Sequence, residues 1–83
     1  MKYDFRGNSI KEFSKLSRSV QLQIKQKLEF YMSAQSPLSF AERLTDFNLG
    51  EYRFRIGDYR ITFDVENNTV KILKVGHRKD MYR

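Results

Sequence analysis

Residues 51 to 65 read EYRFRIGDYRITFDV. Apolar and polar side chains alternate here on both sides of Gly57-Asp58. A period of two is the signature of a half-buried strand. A two-residue break containing Gly is the signature of a tight hairpin loop. With Gly57-Asp58 as the loop, Ile56 faces Tyr59, Arg55 faces Arg60 and Phe54 faces Ile61. Tyr52, Phe54, Ile56, Tyr59, Ile61, Phe63 and Val65 then share one face. Arg53, Arg55, Arg60 and Thr62 share the other. Few sequences are so constrained: a slip of one residue would bury three arginines.

The second loop is Asn67-Asn68, since Asn tolerates the left-handed region. Strands are expected at 51–56, 59–66 and 69–75, as a three-stranded meander. In that register Val65 faces Val70, Phe63 faces Ile72, and Arg60 falls opposite Val75. Gly76-His77-Arg78 then approaches the arginine face. Arg55 opposite Arg60 is a like-charge cross-strand pair, which is unfavourable by itself. Asp64 is a candidate to relieve it. An anionic ligand relieves it better, because the planar guanidinium fork matches phosphate. A solvated basic outer face is the plain alternative.

The N-terminal half is helical in pattern. KYDFR, residues 2–6, reads as a short edge strand with Tyr3 and Phe5 on one face. Ser9 and Glu12 have capping-box spacing, and Ile10, Phe13 and Leu16 are expected to face inward. Val20, Ile24, Leu28 and Tyr31 or Met32 form an apolar stripe over a helix at 18–33. Pro37 ends it. A short helical turn is expected around Phe40 to Leu44. Helices followed by an antiparallel sheet make an α+β fold: a short N-terminal strand and a helical hairpin packed on a C-terminal antiparallel β-meander.

Composition narrows the function classes. The 83 residues suit one domain. There is no cysteine, so disulfide frameworks, thiol catalysis and cysteine-ligated zinc are excluded. No apolar run approaches a membrane span, and MKYDFRGNSI is no signal peptide. A cytoplasmic protein is expected. Sixteen Lys and Arg against ten Asp and Glu leave +6, which points to a polyanion or an acidic protein as partner. No metal-ligand spacing, phosphate loop or nucleophile elbow occurs. The tail VGHRKDMYR adds a second cluster: His77, Arg78, Lys79, Tyr82 and Arg83. His77 and Tyr82 are its proton-transfer candidates.

LGEYRFRIGDYRITFDVENNTVKILKVGHRKDMYR, residues 49 to 83, resembles the C-terminal half of the RelE/ParE superfamily of bacterial toxins. The similarity is closest to the RelE-type branch. The resemblance implies a RelE-like fold over residues 1–83. It implies the toxin of a type II toxin–antitoxin system, a ribosome-dependent mRNA endonuclease that needs no metal or cofactor. It also implies a cognate antitoxin, acidic and partly disordered, that wraps the basic surface. By the same resemblance, Arg53 and Arg55 contact the RNA backbone, with Lys79 and Arg83 beside them. Arg60 stabilises the scissile phosphate, Arg78 assists the transition state or leaving group, and Tyr82 stacks on or activates the nucleotide. His77 is the remaining catalytic candidate. Two other readings keep the same residues: a ParE-like toxin directed at DNA gyrase, and an RNA-binding module that does not cut.

Overall fold

The computed structural model describes residues 1–46 and 48–81. The elements run β1 (Lys2–Phe5), α1 (Ser9–Ser14), α2 (Arg18–Ser33), a 3-10 turn at Pro37–Phe40, β2 (Glu42–Arg43), β3 (Tyr52–Ile56), β4 (Tyr59–Glu66) and β5 (Thr69–His77). The strands form one mixed sheet in the order β1-β5-β4-β3-β2. The expected meander β3-β4-β5 is its centre. β1 adds to one side, parallel to β5, and the two-residue β2 adds to the other, antiparallel to β3.

The hairpin register is the one the alternation dictates. Tyr52 pairs with Phe63, Phe54 with Ile61, Arg55 with Arg60 and Ile56 with Tyr59. Gly57 takes φ +59°, and Asp58 does not share that left-handed conformation. That is the backbone pattern of a tight hairpin with Gly first. A side chain at Gly57 would also meet the Gln23 amide at 2.9 Å. Asn67 and Asn68 both adopt positive φ, the requirement of the other two-residue hairpin type.

The core lies between one sheet face and α2. Ile24, Leu28 and Tyr31 of α2 are buried against Phe54, Ile56, Ile61, Phe63, Val70, Ile72 and Val75. Phe54 stacks on Phe63 at 4.5 Å between centroids, and Tyr31 lies 4.7 Å from Phe54. Ser17 caps α2 by accepting from the Val20 amide at 3.3 Å. The helix ends at Ser33, ahead of Pro37.

Several expectations change. The register across β4 and β5 shifts between Thr62 and Phe63: Phe63 pairs with Ile72, but Thr62 pairs with Lys74. Leu73 is thus the extra residue of a β-bulge. Arg60 therefore falls opposite Gly76, and Val75 lies opposite Ile61. The cause is hydrophobic. Without the bulge Lys74 would point into the core opposite Ile61 and Val75 would point out; one extra residue exchanges them.

The capping box does not form. Asn8 is the first capping position and its side chain makes no cap bond. Ser9 is instead fully buried, donating to the carbonyls of Arg6 at 2.7 Å and Ile72 at 2.9 Å. Glu12 Oε1 accepts from the Val75 amide at 3.0 Å. Both side chains leave their own helix to tie it to β5, Ser9 at Ile72, where the β1 pairing ends, and Glu12 at Val75, beyond it. Ile10 faces outward, 46% exposed, because that binding turns α1 onto Ser9, Glu12 and Phe13. The helical turn expected at 40–44 sits earlier, at Pro37–Phe40, since proline fits a first helical position.

Glu12→Ala is expected to cost about 1–2 kcal/mol, the range for stranding a partly buried donor. Urea unfolding reads the loss, and hydrogen exchange at the Val75 amide should quicken. A variant as stable as the parent would show that α1 is held by Ser9 and its apolar contacts without Glu12.

Candidate nucleic-acid interface

The sheet face away from α2 carries the arginines. It is not evenly solvated. Arg60 and Thr62 are 5% and 2% exposed, while the Arg55 and Arg78 side chains are 60% and 56% exposed. The cover comes from two segments. Leu44 and Leu49, in the loop between β2 and β3, meet Met81 above Thr62 and Arg53, around a cavity of about 10 Å³. Met81 reaches that position because Gly76 has no side chain: a Cβ there would lie 3.1 Å from the Met81 sulfur.

Arg60 is held by the loop that precedes it. Its Nη1 donates to the carbonyls of Gly57 at 3.1 Å and Tyr59 at 3.0 Å. This draws the guanidinium toward the turn and fixes its orientation, leaving Nε and Nη2 without a hydrogen bond among the described residues. Burial, and then the cations of Arg55, Arg53 and Arg78, hold this guanidinium below the ordinary arginine range, while Glu42 acts in the opposite direction. An arginine in such a place stays protonated, so the crowding of charge persists and is lowered by any anion that arrives.

Glu42, on β2, is the internal counter-ion. Its Oε2 lies 3.0 Å from Arg53 Nη2, and its Oε1 lies 3.5 Å from Arg55 Nε. One carboxylate thus bridges two guanidinium groups. Asp64, expected in this role, is elsewhere: it pairs with Lys71 in the register, and its Oδ1 accepts from the Glu51 amide at 2.9 Å. The sequence carried no signal for Glu42, because β2 is too short to show periodicity.

Arg78 joins the row from the C-terminal side. Its amide donates to the Asp58 carbonyl at 2.7 Å, and its Nε lies 3.8 Å from Asp58 Oδ1. The structure therefore brings Arg53, Arg55, Arg60 and Arg78 together. His77 is set apart from them. It pairs with Tyr59, so the alternation points it to the other face, where the rings meet edge-on at 5.4 Å. Its Nδ1 accepts from the Lys79 amide at 3.1 Å, so in the neutral ring the proton sits on Nε2. Lys79 is exposed in the turn that follows. Tyr82 and Arg83, the remaining candidates, lie outside the described residues. Sequence reasoning missed Lys74, which the bulge moves to the arginine face. The signal was present: Ile72 and Val75, both apolar, are an odd number of residues apart.

Among the described residues no group of His, Asp or Glu side chains is placed to hold a metal ion. None of the described helices is long and apolar enough to cross a membrane.

The model of a family described as the ParE toxin of type II toxin-antitoxin system, parDE, matches residues 3–82. The chain belongs to this family. It is the toxin of a type II toxin–antitoxin system, within the RelE/ParE superfamily. Its fold is that of RelE toxins. It superposes on a chain of the RelBE2 toxin–antitoxin complex of Mycobacterium tuberculosis with a TM-score of 0.78 and 24% identity, covering 93% of this chain and 96% of that one. For the RelB–RelE complex of Methanococcus jannaschii the TM-score is 0.71 at 24% identity, over 94% and 93% of the two chains. The isolated RelE toxin of E. coli gives 0.70 at 24% identity, over 90% and 81%. No curated protein matches in sequence.

Glu42→Gln removes the bridging charge and keeps the shape. Arg55 is exposed but the Arg53 side chain is only 16% exposed, so the expected cost is about 1 kcal/mol, at the upper end of the range for an exposed pair. Retention on a heparin column should move to higher salt, because the arginines lose their internal anion. Earlier elution would show that Glu42 orders the arginines more than it competes for them.

Proposed function

We propose that this toxin is an endoribonuclease that cuts messenger RNA in the ribosomal A site and so stops translation. One observation carries the reading: four arginines converge on one sheet face around a buried, hydrogen-bonded Arg60. Cleavage of RNA by its own 2′-hydroxyl forms a bond to the neighbouring phosphorus and breaks the bond to the 5′-oxygen. The products are a 2′,3′-cyclic phosphate and a 5′-hydroxyl. Along the way the phosphorane gathers negative charge. Fixed cations aimed at that charge lower the barrier without reorganising. Arg60, the most buried of the four and bonded to two backbone carbonyls, takes the scissile phosphate. Arg78 sits at the exposed side of the row and takes the leaving oxygen. Arg53 and Arg55 hold flanking phosphates once Glu42 is displaced, with Lys79 and Arg83 beyond them.

Arginine does not exchange protons near neutral pH. One proton must leave the 2′-hydroxyl and one must reach the 5′-oxygen. Tyr82 is assigned to proton transfer, as the tail side chain able to make it, with water serving for the other transfer. His77, turned to the other face against Tyr59, is left out of the step. No metal or cofactor enters the step. A ribosome that positions the RNA supplies the alignment so sparse a site needs. The partner in the cytoplasm is a cognate antitoxin, acidic and partly disordered, that covers the arginine face. RelE chains of this fold are seen in complex with RelB antitoxins, which supports that partner. The family match carries the name of ParE, which leaves a gyrase-directed toxin as the second reading.

Programmed ribosomes with a defined A-site codon test the proposal. The intact protein should cut there. Arg60→Ala and the exposed Arg78→Ala should each slow cleavage about 10²–10³-fold, the range for one lost electrostatic donor. Circular dichroism separates that loss from misfolding at Arg60. Full cleavage by both variants would remove them from the site, and gyrase poisoning without cleavage would favour the second reading.

A further inference from the structure

A groove of about 420 Å³ leaves the arginine face at Gly76 and runs round the exposed part of β5 toward α1. Gly76 is the register partner of Arg60, so the groove begins where the arginine row ends. Its walls carry Lys15 from α1, Lys74 from β5, and the edge-on rings of Tyr59 and His77. Two carboxylates are also present. Glu12 is committed to the Val75 amide, and Asp80 lies exposed in the C-terminal turn, its amide donating to the His77 carbonyl at 2.8 Å.

We propose that this groove binds the single-stranded RNA next to the phosphate at Arg60. The inference rests on the function proposed above, and it adds a path for the strand. Two lysines and two aromatic rings lining one groove supply what a single strand uses: cations track the backbone while bases stack on π-faces. Lys15 and Lys74 take phosphates and Tyr59 offers its ring to a base. An acidic peptide would engage the lysines and have no use for the rings. The bulge at Leu73 is what makes the path continuous, since it turns Lys74 outward on the same face as Arg60. β1 pairs with that strand only as far as Ile72, and α1, which takes over by accepting from the Val75 amide through Glu12, forms the far wall of the groove.

A 2′-O-methylated single-stranded RNA tests the groove, since it lacks the attacking hydroxyl and reports binding without cleavage. Affinity is measured across a range of salt for the intact protein, Lys15→Gln, Lys74→Gln, the double variant, Tyr59→Leu, and a Lys25→Gln/Lys27→Gln control on the outer side of α2. Each groove lysine should reduce the slope of log K against log salt by about 0.7, the value for one phosphate contact on a single strand. Tyr59→Leu should weaken binding and leave the slope unchanged. The control should keep the parental slope. Parental slopes in both groove variants, or an equal fall in the control, would overturn the proposal. A protein that binds through the groove and never cuts would sink the function above and leave this site standing. A protein that cuts, with groove variants that bind like the parent, would do the reverse.

Discussion

The two-residue turn at Gly57-Asp58 sets the register on which everything else depends. Because β3 and β4 leave it in step, seven apolar side chains fall on the face toward α2 and three arginines fall on the other. The same register forces Arg55 and Arg60 to face each other. That repulsion is not removed; it is managed. Arg60 bends back to the carbonyls of its own turn, and Glu42 bridges Arg53 and Arg55 from the adjoining strand. The result is a set of cations held in place by the backbone and only partly neutralised. Such a face binds anions strongly because its unbound state is already under electrostatic tension.

Two departures from regular structure position the rest. The bulge at Leu73 keeps Val75 in the core and places Gly76, with no side chain, beside Arg60. Met81 fills that space and joins Leu44 and Leu49 over the middle of the sheet. Water is thereby kept from Thr62 and much of Arg60, while Arg55 and Arg78 stay open. The short helix α1 replaces β1 along the upper part of β5, using Ser9 and Glu12 as hydrogen-bond partners for the strand. Stability and the shape of the site therefore share the same residues.

What the sequence made legible was local. The stripe Val20-Ile24-Leu28-Tyr31 marked α2, and the alternation around Gly57-Asp58 marked the hairpin, its faces and its three arginines. What it hid was non-local or irregular. β1 was legible as an alternating edge strand, but its parallel pairing with β5 across most of the chain was not, and β2, with two residues, has no pattern of its own. Ser9 and Glu12 had the spacing of a cap, but tertiary contacts to Ile72 and Val75 outcompeted it. The bulge changed the faces of Lys74 and His77, so Lys74 was missed and His77 was placed with the wrong neighbours. Glu42 was invisible for the same reason as β2.

The central claim is that the arginine face is built to stabilise a phosphorane formed by attack of an RNA 2′-hydroxyl. The chemical ends of the product test it most directly. Messenger RNA cut by the intact protein on programmed ribosomes should carry a 2′,3′-cyclic phosphate and a 5′-hydroxyl, and a single 2′-deoxy substitution at the cut site should abolish cleavage. Ends bearing a 5′-phosphate and a 3′-hydroxyl, or cleavage that survives the 2′-deoxy substitution, would contradict it.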